Sequence, residues 1–381
     1  MRRLLMGGVL ALCCLSGQAM AQVIVSANDG KQLKPGEPVS ARGPDHITVH
    51  RATPGGIALL ASLRLPTSMI GPPRSVALTP NDRFALITAS LQLDGAALVP
   101  AATVTLVDLS RPDRPRVVQT IAAGAGASGV AINRAGTLAL VANAVDDSVS
   151  IFRIARGRLI AAGKIAMDRG SKPVAVEFLA DGRGALVVTQ QANRVERLAI
   201  DGLRAHRHGS AIDTGNGPYS IAVGRDGRFA YVTNLGGNGE GAPGRRIGTI
   251  AVIDTVSGAV VQRIDAGNTP EHVALSPGGG FLQATLINGT IAEPGSPNFR
   301  DHGLLHIYRI DDGRLTRVAE AETGPWCQGA GWTGDERRVL LQCAERRQIE
   351  VYRFDGEQLT HDPAATIQLE ARPGAMAVAH R

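Results

Sequence analysis

One phrase recurs along this chain and limits what it can fold into. It opens with Pro, crosses two variable residues into alternating aliphatics, turns at a polar Pro/Asp/Gly segment and ends in a β-rich run closed by a polar residue. The fullest copy starts at Pro218 and reads PYSIAVGRDGRFAYVTN. Other copies start at Pro73, Ala127, Pro173, Pro270 and Cys327, and an unpartnered start follows at Pro373. Further strands follow each hairpin, as in TVTLVDL, SVSIFRI and TIAVIDT. The alternation has period two, which fits half-buried antiparallel strands. Four strands recurring every 45 to 57 residues are the signature of a β-propeller.

The two ends complete the count. PGAMAV at 373–378 is a first strand with nothing downstream to pair with, and QVIVSANDG at 22–30 reads as a second strand with nothing before it. Segments 46–49 and 56–60 supply a third and a fourth. A blade shared between the termini closes the ring and removes its open sheet edges. The expectation is an all-β, seven-bladed β-propeller with four-stranded antiparallel blades, occupying 22–381. A closed ring has no edge strand demanding a partner, so a monomer is expected.

Composition agrees. Forty-six Gly residues and 3% aromatics suit many turns between short aliphatic strands. Residues 1–21 read as a cleavable leader: Arg2 and Arg3, an apolar run over 4–15, then Ala19-Met20-Ala21 before Gln22. The apolar run is shorter than the ~20 residues of a membrane span. Leu12 is too bulky for a lipoprotein signal ending at Cys13, which favours a soluble, exported chain in the periplasm or secreted. Losing Arg2 and Arg3 leaves 38 basic against 34 acidic residues, a charge of about +4 without a basic block. That distribution permits anionic partners without arguing for nucleic acid, and weak nucleic-acid binding stands only as a third reading.

Tyr231-Val232-Thr233-Asn234, within the frame P-x-x-[VI]-A-V…D-G-R-x-A-Y-V-T-N, resembles the YVTN β-propeller family. That family is similar to lactonase-like propellers, including 6-phosphogluconolactonases and carboxymuconate-lactonising enzymes. The resemblance covers the chain from Gln22 onward. It implies the fold strongly and the activity weakly, because the repeated residues are those that build blades.

Loops after the second strands, at 91–102, 235–248 and 287–303, are long, and extra length on one rim marks the binding face of a repeat array. Beside them, the two positions after each inner-strand start line the channel mouth. Arg74, Tyr219, Glu271, His272 and Gln328 stand out there against small neighbours. His272 or Glu271 as general base, with Arg74 stabilising an oxyanion, would suit a hydrolase. The lactonising relatives use His, Arg and Glu on such a face, and these three residues offer those types. Tyr219, Gln328, Asn234 and Asn143 are candidate ligand-binding residues. The first expectation is nevertheless a non-catalytic propeller that binds a protein partner or small molecule on the looped face, its polar channel filled with ordered water, with a lactonase-like hydrolase or isomerase as the alternative.

Cys327 takes an inner-strand start and Cys343 the place of Asn234, both eight residues from Asp335, so the two should face each other as a disulfide. A redox-active or metal-binding pair is the alternative. Other motifs fail on context. The G-x-G-x-x-G string at Gly124–Gly129 is followed by a strand, not the helix a dinucleotide requires. No C-x-x-C-H and no zinc-type His/Cys spacing occur, and two Trp residues do not make the recurrent pattern of quinoprotein propellers. No cofactor and no metal are expected.

Overall fold

The computed structural model describes residues 22–379 apart from 35, 54 and 238–246; the leader call on 1–21 therefore lies outside the described residues. Seven antiparallel sheets, each built on four strands, form the blades of a β-propeller. Numbered along the chain, blades 1 to 6 have inner strands Val76–Leu78, Ala127–Ile132, Pro173–Phe178, Pro218–Val223, Pro270–Leu275 and Cys327–Trp332. Blade 7 is the shared one: Arg372–Val378 pairs with Gln22–Asp29, followed by His46–Thr53 and Gly56–Arg64. Helix is confined to two 3-10 turns, Val39–Ala41 and Pro363–Ala365. No helix among the described residues is long and apolar enough to cross a membrane.

The second strand of each blade lies between neighbouring strands and between neighbouring blades, so both of its faces are covered. Leu138–Asn143, Gly184–Thr189 and Phe229–Asn234 are buried at every position, which explains their nearly continuous apolar runs. Blades then pack face to face. Leu140 and Val149 of blade 2 share a core cluster with Val176 and Val187 of blade 3. Burying such side chains contributes roughly 1.5–3 kcal/mol each.

The turn after each inner strand holds one residue at positive φ in the same repeat column. Gly136, Gly182, Gly227 and Gly279 fill it in blades 2 to 5, and Asp82 and Glu336 fill it in blades 1 and 6. Glycine is favoured there because a Cβ disfavours this conformation. These turns define one face of the ring, the turn face. Connections into the inner strands, and those joining second to third strands, lie on the opposite loop face.

The long connections differ from one another. Segment 91–102, read as a loop, is an extended ribbon: Phe84–Asp94 pairs with Ala97–Asp108 to its tip, with a shift between Ala89 and Leu91. The alternating Leu91, Leu93 and Leu98 continue the strand pattern past the rim, and pairing satisfies backbone groups that a loop would leave to water. Arg42 Nη1 donates to Ala96 O at 2.9 Å, tying the tip to blade 7. Segment 287–303 is a folded loop in which Asn288 Nδ2 donates to His302 O and Thr290 Oγ1 accepts from Trp326 N. Most of 235–248 lies outside the described residues.

Candidate functional site

The register places the repeat columns as their spacing requires. Pro218 faces Asn234, and Cys327 faces Cys343 in the equivalent place. The two cysteines form a fully buried disulfide, Cα atoms 3.8 Å apart. The nearby Glu350 is occupied by other groups. Its carboxylate accepts from Gly324 N, Gln348 Nε2 and Tyr352 Oη at 2.8–3.1 Å. With both sulfurs bonded to each other, this cluster of three has no thiolate to offer a metal.

The five mouth residues separate into two groups. Tyr219, Glu271 and Gln328 gather on the loop face. Gln328 hydrogen-bonds the Glu271 carboxyl, and the Tyr219 hydroxyl reaches the backbone of Gly71 across the ring. Glu271 is 8% exposed and its Oε2 has no hydrogen-bond partner. Burial pushes the Glu271 carboxyl up to about 8, with Gln328 opposing the shift. Burial and the nearby Glu271 hold the Tyr219 phenol protonated, well above its ordinary value.

Arg74 and His272 lie deeper. Arg74 Nη2 forms an ion pair with Glu177 Oε2, reaching past blade 2 to the inner strand of blade 3. Desolvation lowers the Arg74 guanidinium to about 10, and its ion pair with Glu177 occupies Nη2. His272 is 3% exposed, and its Nδ1 accepts from Gln283 Nε2 at 3.0 Å and from Ala330 N at 3.2 Å. A backbone N–H can only donate, so Nδ1 carries no proton and the neutral ring holds its hydrogen on Nε2. Desolvation and the Arg74 charge depress this imidazole to about 3.

Asn143 and Asn234 are buried at the ends of their second strands. Asn143 Nδ2 donates to Ser148 Oγ and Ser150 Oγ while its Oδ1 accepts from Gly124 N. Asn234 Nδ2 donates to Thr214 O and Thr249 Oγ1. Both fasten the connection from the preceding blade. Glu177 and Gln283 are the residues that reading two positions per repeat missed. A signal for Glu177 existed: four residues after each inner-strand start the chain has Ala or Gly in every blade except blade 3.

These small side chains leave a cavity of about 370 Å³ open toward the turn face. Arg74, Glu177 and His272 close its inner end, and Arg225, Ser276 and Trp332 stand nearer the turns.

A closed ring of seven four-stranded blades around a polar-plugged channel defines the class of this protein. No family model and no curated protein sequence matches the chain. Among solved structures it is similar to a 6-phosphogluconolactonase-like protein from Bacteroides fragilis, at TM-score 0.73 and 18% identity over 95% of this chain and 99% of that one. A counterpart from Bacteroides uniformis gives TM-score 0.74 at 18% identity, over 94% and 99%. The periplasmic gluconolactonase of Pseudomonas aeruginosa gives TM-score 0.70 at 15% identity, over 94% and 99%. At these identities the likeness establishes the fold.

Proposed function

We propose that this chain is an exported, lactonase-like enzyme that opens a small cyclic ester at the loop-face end of its channel. The observation that carries the reading is the Glu271 carboxyl, buried beside Tyr219 and Gln328 with one oxygen unpaired. A carboxyl titrating near 8 exchanges protons efficiently close to neutrality. Glu271 takes a proton from water as the water oxygen bonds to the lactone carbonyl carbon. The carbon–ring-oxygen bond then breaks, and Glu271 returns the proton to the leaving oxygen. Tyr219, kept neutral, donates to the carbonyl oxygen as charge develops. The structural neighbours' described activities lend support at the level of fold. Arg74 and His272 lie beyond this end of the channel, Arg74 in its ion pair with Glu177, and the proposed reaction does not use them.

The test is ring opening across a panel of γ- and δ-lactones by protein beginning at Gln22. Glu271→Gln is expected to lower turnover ~10²–10⁴-fold while leaving the fold intact. Turnover equal in both proteins removes Glu271 from the reaction. No turnover above background, across the panel, favours the second reading. That reading is a non-catalytic propeller binding a protein or small molecule on the loop face, supported by the ribbon that blade 1 projects beyond the ring. The disulfide and the leader read in residues 1–21 support work in an oxidising compartment.

A further inference from the structure

We propose that the turn-face half of the channel is a separate binding site for a small monocarboxylate with an apolar body, held by Arg74 and the His272 Nε2–H. The site is built by the repeat. Inner strands from all seven blades converge on it, and the small residues of one column, Ala77 and Ala274 among them, keep it open. Val76, Val130, Ile132 and Trp332 supply apolar wall, interleaved with polar groups. Arg74, Glu177 and His272 stand together at the inner end and set the chemistry of the ligand.

His272 is the main pointer. Its Nδ1 is fixed as an acceptor by Gln283 and Ala330, which leaves Nε2–H as a donor without a protein acceptor, on a side chain 3% exposed. Arg74 adds to it. Its ion pair with Glu177 uses Nη2, whereas a guanidinium has five N–H donors and can serve two carboxylates through different edges. Two adjacent donors suit the two oxygens of one carboxylate. The charges lining the cavity are Arg74 and Arg225 against Glu177, a formal excess of one positive charge, with Arg225 nearer the opening. That balance favours an anion over an amine, although Glu177 could itself accept from one. A volume of about 370 Å³ suits a ring or branched chain bearing one acid group.

This site is independent of the ester-opening reading, which rests on the opposite end of the channel. Benzoate is the probe, with benzamide and benzylamine as its neutral and cationic counterparts, and binding is read by titration calorimetry. Benzoate is expected to bind saturably and at least about tenfold tighter than either counterpart. Ala77→Leu, which fills the cavity while sparing its inner end, should abolish binding. Glu177→Gln should tighten it, by removing the competing carboxylate. Arg74→Gln risks stranding Glu177, so the double variant Arg74→Gln/Glu177→Gln, confirmed folded by its thermal transition, is the decisive protein. It should lose the preference for benzoate over benzamide. Glu271→Gln should bind benzoate as the parent does, whatever happens to lactone turnover. Absence of saturable benzoate binding by the folded parent protein, equal binding of benzamide, or binding unchanged in Ala77→Leu would each overturn the proposal.

Discussion

At the loop face, the residue following each inner-strand start runs from Gly374 through Ser128 to Tyr219 and Glu271, and those large groups interlock. Three positions further along the same strands, six blades place Ala or Gly and only Glu177 departs. One end of the channel is therefore lined by interlocking hydrogen-bonding groups. The other is open and has a single ion pair at its inner limit. The repeat dictates the strand and its direction but leaves each column free to vary. Where a column is uniform it makes wall, and where one blade breaks it, chemistry enters.

Breaking the ion pair should produce the largest effect. Arg74→Met leaves the Glu177 carboxylate unpaired and should cost about 3–5 kcal/mol in denaturant unfolding. The double change Arg74→Met/Glu177→Met should recover much of that loss, since apolar replacement of a whole pair is often neutral. A double variant as unstable as the single one would mean that the pair does not organise the channel. The loop face should yield next. Removing the disulfide with Cys327→Ala/Cys343→Ala, a separation of 16 residues, should cost about 2–3 kcal/mol, read by the same unfolding curves.

The pH profile sharpens the contrast. Glu271 titrates near 8 when folded, against 4.5 ordinarily, so its stabilising contribution is present below 4.5 and is lost as pH rises through 8. His272 is depressed to about 3 from 6.5, so its contribution is present above 6.5 and is lost as pH falls toward 3. Relative to the parent protein, Glu271→Gln should therefore gain stability between pH 5 and 9, by roughly 4 kcal/mol. Parallel stability curves for the two proteins would contradict the buried, unpaired carboxyl. The smallest effect is expected from Gln283→Leu, about 1 kcal/mol, because Ala330 N still donates to His272. Nitrogen NMR of the His272 ring should still find the proton on Nε2.

Blade number, ring closure and cysteine pairing were legible because each follows from local spacing repeated several times. The ion pair was not, since Arg74 and Glu177 lie on blades separated by a third, and only ring curvature brings their ends together. Glu177 was nonetheless visible as the departure in a uniform column, once that column was compared. Segment 91–102 misled because length beyond the repeat resembles a loop, while its alternating leucines continue a ladder. Asn143 and Asn234 misled in the other direction. A polar residue at a strand end near a candidate site resembles a ligand-binding group, yet both amide nitrogens are taken up by neighbouring chain.

The blade assembled from both termini also governs when the molecule can finish folding. Until Arg372–Val378 is available, the strand Gln22–Asp29 has one row of backbone donors and acceptors without its native partner. Six blades can form in sequence, but the circle stays open by one strand until that segment is made. A chain stopped before Arg372 would retain nearly all of its core together with an exposed sheet edge, the kind of edge that recruits other chains. Truncated products of this protein should accordingly self-associate before they unfold.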